Sequence, residues 1–166
     1  MEQTIGLVNE LRGYGIERNG GGLPDTNQAV SLTKGYGWSD GMPKLLIVED
    51  NVFFRQTLAR ILLNSFPSVE IAEAADGQQA FSAIDTQRPQ LIFTDIGLPG
   101  KDGIQLTKEI SDRFPEIAII VISNYDTSKY REAALNAGAA VFMSKEASTP
   151  ADIVETAKKT LPELSA

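Results

Sequence analysis

Residues 44–164 of this 166-residue chain predict a doubly wound α/β fold, a five-stranded parallel sheet with helices on both faces. Three observations carry that expectation. Short, mostly apolar runs alternate five times with longer stretches of helical periodicity. The runs read as continuous rather than alternating apolar sequence, as strands covered on both faces do. Pro67, Pro89 and Pro115 each stand just ahead of such a run, where proline ends the preceding helix and removes a donor the sheet does not need.

Taken in order, the first strand runs from Leu45 to Val48. The helix after it carries Phe54, Leu58, Ile61 and Leu62 on one stripe, with Asn51 as its N-cap. A second strand from Val69 to Ala72 follows Pro67, and its helix is marked by Phe81 and Ile84. The third strand is Leu91 to Thr94, followed by a helix with Ile110 and Phe114. The fourth is Ile117 to Ile122, and its helix stops at Gly138. The fifth is Ala140 to Met143, and a last helix buries Ile153, Ala157 and Leu161. Right-handed crossovers restrict such a chain to doubly wound topologies; in the order 2-1-3-4-5, the carboxyl ends of strands 1, 3, 4 and 5 lie side by side across the switch point.

Residues 1–43 differ in kind. Nine of the 14 glycines lie there, including Gly20, Gly21 and Gly22, so this part reads as a flexible Gly-rich arm. Ile5, Val8 and Leu11 have helical spacing, but Gly13 and Gly15 stop it at once. Over the whole chain apolar residues make up 42% and charged residues 22%, enough for a real core. The net charge of −7 gives no basic footprint for nucleic acid. With no Cys there is no disulfide framework or thiol nucleophile, and with no His no imidazole base or ligand. No signal-like core opens the sequence, and the longest apolar run is far too short for a bilayer. The expectation is a cytoplasmic protein with neither nucleic acid nor membrane as partner.

Function-bearing residues fall where the topology places ligand chemistry. Glu49 and Asp50 end the first strand in "LLIVEDNVFF", and Asp95 ends the third in "LIFTDIGLPGKDG". Three carboxylates at one edge repel one another unless a hard divalent cation with oxygen ligands lies between them, and Mg²⁺ is the natural one. The fourth strand leads to Ser123, a hydroxyl donor, and the fifth to Lys145, a cation. Acids for a metal, one hydroxyl and one ammonium describe a phosphoryl site. Singly, each would be a loop acid, a strand-end cap or a solvated charge; it is the set that points to function. Asp76-Gly77 and Asp102-Gly103 are expected to serve only turns and helix starts, and Phe53 and Phe54 to join the core.

In this order and at these spacings, the sequence from Lys44 to about Leu161 resembles the receiver domain of two-component response regulators, a flavodoxin-like fold. "AAVFMSKEAS" and "EAALNAGA" look most like NarL/FixJ-like receivers. The resemblance implies that Asp95 accepts a phosphoryl group from a sensor histidine kinase or a histidine phosphotransfer protein. It implies that Asp50, Asp95 and the Gly97 carbonyl bind Mg²⁺, with Glu49 acting through a water. It makes Ser123 and Lys145 partners of the phosphoryl oxygens, and Ser123 with Phe142 a switch read by a protein target on the face of helix 4, strand 5 and helix 5. The only catalysis implied is the domain's own Mg-dependent phosphorylation and dephosphorylation.

Two departures stand out. Glu146 follows Lys145 where the family often has proline with a cis bond, which leaves the isomer open, and Phe142 occupies a position that is often Tyr, so its ring cannot hydrogen-bond. A haloacid-dehalogenase-type phosphatase would need a second acid where Gly97 stands, and a nucleotide-binding domain a Gly-rich turn after the first strand. The reading is a stand-alone receiver; the alternatives are a fragment of a larger regulator whose DNA-binding effector has been removed, or a phosphorylation-independent pseudo-receiver.

Overall fold

The computed structural model describes residues 42–165, so the arm expected over 1–43 lies, up to residue 41, outside the described residues. The rest is β1 (Lys44–Val48), α1 (Val52–Ser65), β2 (Glu70–Ala74), α2 (Gly77–Gln87), β3 (Leu91–Thr94), α3 (Gly103–Arg113), β4 (Ala118–Ser123), α4 (Ser128–Asn136), β5 (Val141–Ser144) and α5 (Pro150–Thr160). The five strands form one sheet in the order β2-β1-β3-β4-β5, every pair parallel, as expected.

Side chains alternate across a strand, and here the alternation builds two cores. Leu45 and Ile47 of β1 face a cluster with Leu58 and Leu62 of α1 and Ile153 and Ala157 of α5. Leu46 and Val48 face the other way, onto Ile84 of α2, Leu106 and Ile110 of α3 and Ala134 of α4. Covering both faces is what a parallel sheet requires. Each helix start is capped as its sequence allows: Asn51 accepts from the Phe54 N–H, Asp76 from Gln79 and Asp102 from Ile104. Thr149 and Asp152 form a capping box on α5, with Pro150 opening the helix. Past α4, Gly138 takes φ +105°, where a Cβ would also collide with Ser111.

The boundary that shifts most is β2, which runs two residues beyond Ala72 to Ala74. It is an edge strand in which Glu73 can stay exposed, so the acid that breaks the apolar run does not break the ladder. The ends of β4 and β5 move by one residue, and Ser123 pairs in register with Ser144. No described peptide bond is cis, so Lys145–Glu146 is trans. Among the described residues, no helix is long and apolar enough to cross a membrane.

Candidate functional site

The site is assembled by strand register. Val48 pairs with Thr94, and the Asp95 N–H donates to the Val48 carbonyl at 3.0 Å, so the residues that end β1 and β3 emerge side by side. Glu49 continues the ladder on the other flank by donating to the Ala74 carbonyl at 2.9 Å. From β5, the Lys145 N–H donates to the Ser123 carbonyl at 3.0 Å and brings both residues to the same edge. Adjacent positions on a strand end point to opposite sides. Glu49 is accordingly buried at 2% exposure, whereas Asp50 is exposed.

Lys145 Nζ lies 2.5 Å from Glu49 Oε2 and 2.9 Å from Asp95 Oδ2, joining positions 96 and 50 residues away in the chain. All three side chains are nearly withdrawn from water, at 9%, 2% and 10% exposure. The remaining carboxylate oxygens are also engaged: Glu49 Oε1 accepts from the Asn51 N–H at 3.1 Å and Asp95 Oδ1 from the Ile96 N–H at 2.7 Å. Burial pushes the Glu49 carboxyl above its ordinary pKa, and the hydrogen bond and charge of Lys145 only partly oppose this. Burial also pulls Lys145 down, but hydrogen bonds and charges from Glu49 and Asp95 together outweigh it, and the ammonium ends above its ordinary value. One cause accounts for both directions: two carboxylates share a single cation, which stays charged while its buried carboxylate partner is under-compensated.

Glu49, Asp50 and Asp95 each offer an oxygen within 4.8 Å of the others. With Lys145 as the one cation among them, two negative charges remain, matched by a divalent ion. An all-oxygen donor set of this charge fits Mg²⁺. Ser123 is fully buried, and its Oγ accepts from the Tyr125 N–H at 3.3 Å. A groove of about 550 Å³ lies elsewhere, between α3 and α4, lined by Ile104, Lys108, Ala133 and Ala137, and holds none of these acids.

Several placements were not foreseen from the sequence. Gly103 packs its α-carbon against the loop after β3: a Cβ there would stand 1.9 Å from the Asp95 carbonyl oxygen, so the residue does more than start a helix. Gly97 lies under the ring of Tyr125, 3.1 Å from where its Cβ would be. Phe53 is 81% exposed rather than part of the core, while Phe54 is half-buried, packs against the α1–α5 cluster and lies beneath Lys145, 4.4 Å from the ammonium to the ring centroid. Phe53 sits one position off the stripe of Phe54, Leu58 and Ile61, a rotation of about 100°. Phe142 is buried at 6% exposure, and the Arg131 guanidinium covers its ring at 4.8 Å. Arg55 donates to the Glu49 carbonyl from α1, a contact for which no signal exists in the sequence.

Residues 45–158 match the family model of the response regulator receiver domain. Among curated proteins, the chain is 30% identical over 117 residues to the transcriptional activator protein ExaE of Pseudomonas putida, covering 70% of this chain and 54% of that one. It is 28% identical over 115 residues to the transcriptional regulatory protein DegU of Brevibacillus brevis, covering 69% and 48%. The chain thus spans about half the length of these curated relatives. Among solved structures, it superposes on the receiver domain of NtrX from Brucella abortus with a TM-score of 0.66 at 31% identity, covering 71% of this chain and 98% of that one. A sheet order, an acid cluster and a sequence match that extends across most of the chain agree, and the chain belongs to the response regulator receiver domain family of two-component signalling.

Proposed function

We propose that Asp95 is the phosphoacceptor of a phosphorylation switch over residues 44–164, fed by a sensor histidine kinase or a histidine phosphotransfer protein. The observation that carries this reading is the Lys145 bridge between Glu49 and Asp95 beside the exposed Asp50. A carboxylate oxygen of Asp95 attacks phosphorus, the phosphorus–nitrogen bond of the donor breaks, and the departing imidazole keeps that electron pair and takes up a proton. Lys145 follows the new charge from carboxylate to phosphoryl oxygen, and Ser123 donates its hydroxyl to another. Asp50, Asp95 and the Gly97 carbonyl would hold Mg²⁺, with Glu49 acting through a water. The ion, when bound, neutralises charge on the phosphoryl oxygens.

Output runs through the neighbouring loop and the α4–β5–α5 face to a protein target, in the cytoplasm. Phosphorylation adds roughly −1.5 to −2 charges at Asp95, which attract Ser123 and the loop after it. Asp126 in that loop pairs with Arg131 Nη2 at 2.7 Å, and Arg131 covers Phe142. Loop movement therefore drags the guanidinium across the ring, a polar linkage that Phe142 cannot supply by itself. Incubation with acetyl phosphate and Mg²⁺ is expected to label the wild-type protein and not Asp95→Ala; labelling of that variant at the wild-type rate, or of wild type in EDTA, refutes the proposal.

A second reading, a receiver that serves as the input module of a transcriptional regulator, is favoured by the names of the relatives and by the matched segment's making up only about half of each. The reading frame beyond Ala166 decides between them, since a DNA-binding helix-turn-helix is the expected continuation only in the second.

A further inference from the structure

Two carboxylates of the acid cluster, those of Glu49 and Asp50, lie just past the end of β1, and one side chain outside the cluster holds the backbone there. Arg55, in α1, is only 15% exposed and reaches back over the end of β1. Its Nη1 donates to the Glu49 carbonyl at 2.5 Å, and its Nε pairs with Glu73 Oε2 at 2.8 Å. Glu73 sits on β2 opposite Ile47, on the strand flanking the one that ends in the acids. The Glu49 carbonyl belongs to the peptide that leads into Asp50. Fixing its oxygen fixes the peptide plane from which the Asp50 side chain departs and so narrows where its carboxylate can reach.

We infer that Arg55, braced by Glu73, is a positioning residue that aims Asp50 at the divalent-cation seat; the inference rests on the reading of Glu49, Asp50 and Asp95 as that seat. Charge alone argues against an arginine here, because a cation near a dication site weakens it, and removing that cation should tighten binding. Positioning argues the other way. The guanidinium suits the task because its planar fork donates in two fixed directions, one to the carbonyl and one to the carboxylate, as an ammonium on a flexible stem does not. The two explanations therefore differ in sign.

The test is calorimetric titration of Mg²⁺ into the full chain and into Arg55→Gln, Arg55→Lys and Arg60→Gln, the last removing an exposed charge elsewhere on the same helix. Arg55→Gln is expected to weaken Mg²⁺ about 10-fold, the size typical of lost outer-shell support. Arg60→Gln is expected to leave affinity unchanged or slightly tighter. Hydrogen exchange of the Glu49 amide in EDTA, a readout free of metal, is expected to quicken in Arg55→Gln. Equal or tighter Mg²⁺ binding by Arg55→Gln overturns the inference. If that variant does not fold, Arg55→Lys keeps the charge and loses the fork: weaker binding supports positioning, and wild-type affinity overturns it. Wild-type protein that binds no Mg²⁺ overturns the seat itself, and the clamp with it; a wild type that binds, with unchanged Arg55 variants, overturns the clamp alone.

Discussion

Replacing Gly103 by alanine tests how firmly the backbone holds Asp95, the proposed phosphoacceptor. By propensity alone the change favours the protein, since alanine is better than glycine in a helix by about 1 kcal/mol. Packing reverses the sign. The added Cβ would stand 1.9 Å from the Asp95 carbonyl oxygen, 2.7 Å from Ile96 Cα and 2.8 Å from the Asp95 carbonyl carbon, all of them backbone atoms with no rotamer to escape into. Real Cβ contacts do not fall below 3.0 Å, so the α3 start and the Asp95 loop must separate by about 1.1 Å. That movement also stretches the 2.8 Å hydrogen bond from the Gly103 N–H to the Ile96 carbonyl. Overpacking of this kind destabilises by about 1–3 kcal/mol, and misplacing a reacting group by about 1 Å lowers its rate by roughly 10²-fold. The assay is the rate of acyl phosphate formation from acetyl phosphate with Mg²⁺, paired with a thermal melt. Gly100→Ala is the control: its φ of +77° makes alanine strained, but nothing lies within 4 Å, so stability falls and Asp95 does not move. A Gly103→Ala protein that melts lower but labels at the wild-type rate shows that α3 yields rather than the loop, and the positional argument fails.

Two further perturbations test the framework around the site. Arg88, which caps α2, has φ +54°, a left-handed conformation glycine adopts freely, so Arg88→Gly should stabilise the protein by about 0.5–1 kcal/mol in urea titrations; a loss would mean that the Arg88 side chain contributes more than the strain it imposes. The Asp152 carboxyl is held below its ordinary value of 3.8, first by the Thr149 hydroxyl and then by the Thr149 N–H. A depressed folded-state pKa stabilises the fold above the unfolded value and loses that contribution as pH falls through the folded one. Asp152→Ala should therefore be less stable than wild type at neutral pH and equal to it in strong acid, and a difference that persists in acid refutes the assignment.

The sequence made the sheet legible because its signals were local. Continuous apolar runs, prolines ahead of strands and caps such as Asn51 are each read within a few residues. It also made the site's membership legible, because in a parallel sheet of known order the strand ends are neighbours by topology alone. Orientation was another matter. Lys145 bridging Glu49 and Asp95, Gly103 against the Asp95 carbonyl, and Arg55 on the Glu49 carbonyl depend on backbone placement to within an ångström, and no spacing encodes that. Phe53 was misread for a simpler reason: two adjacent phenylalanines cannot both lie on one helical stripe, and Phe54 is the one aligned with Leu58.

The hydrogen bonds on the Ser123 hydroxyl and the Phe142 carbonyl are longer than those that hold the ends of β1 and β3, and the difference supports the direction of the proposed switch. On the β1–β3 side, Asp95 Oδ1 takes the Ile96 N–H at 2.7 Å, the Glu49 carbonyl takes Arg55 at 2.5 Å, and Gly103 closes the loop at 2.8 Å. On the β4–β5 side, Ser123 Oγ is held by the Tyr125 N–H at 3.3 Å and the Phe142 carbonyl by Arg131 at 3.4 Å, both near the limit of a hydrogen bond. If Asp95 is phosphorylated as proposed, movement is expected where the restraints are weaker. Under the proposed phosphorylation, the acid cluster is expected to stay in place and the Ser123 loop to give way, carrying Asp126 and, through it, Arg131. Rigid placement of Asp95, the proposed nucleophile, and a compliant Ser123 loop, the proposed readout, are thus compatible in one small site, because they belong to different strands.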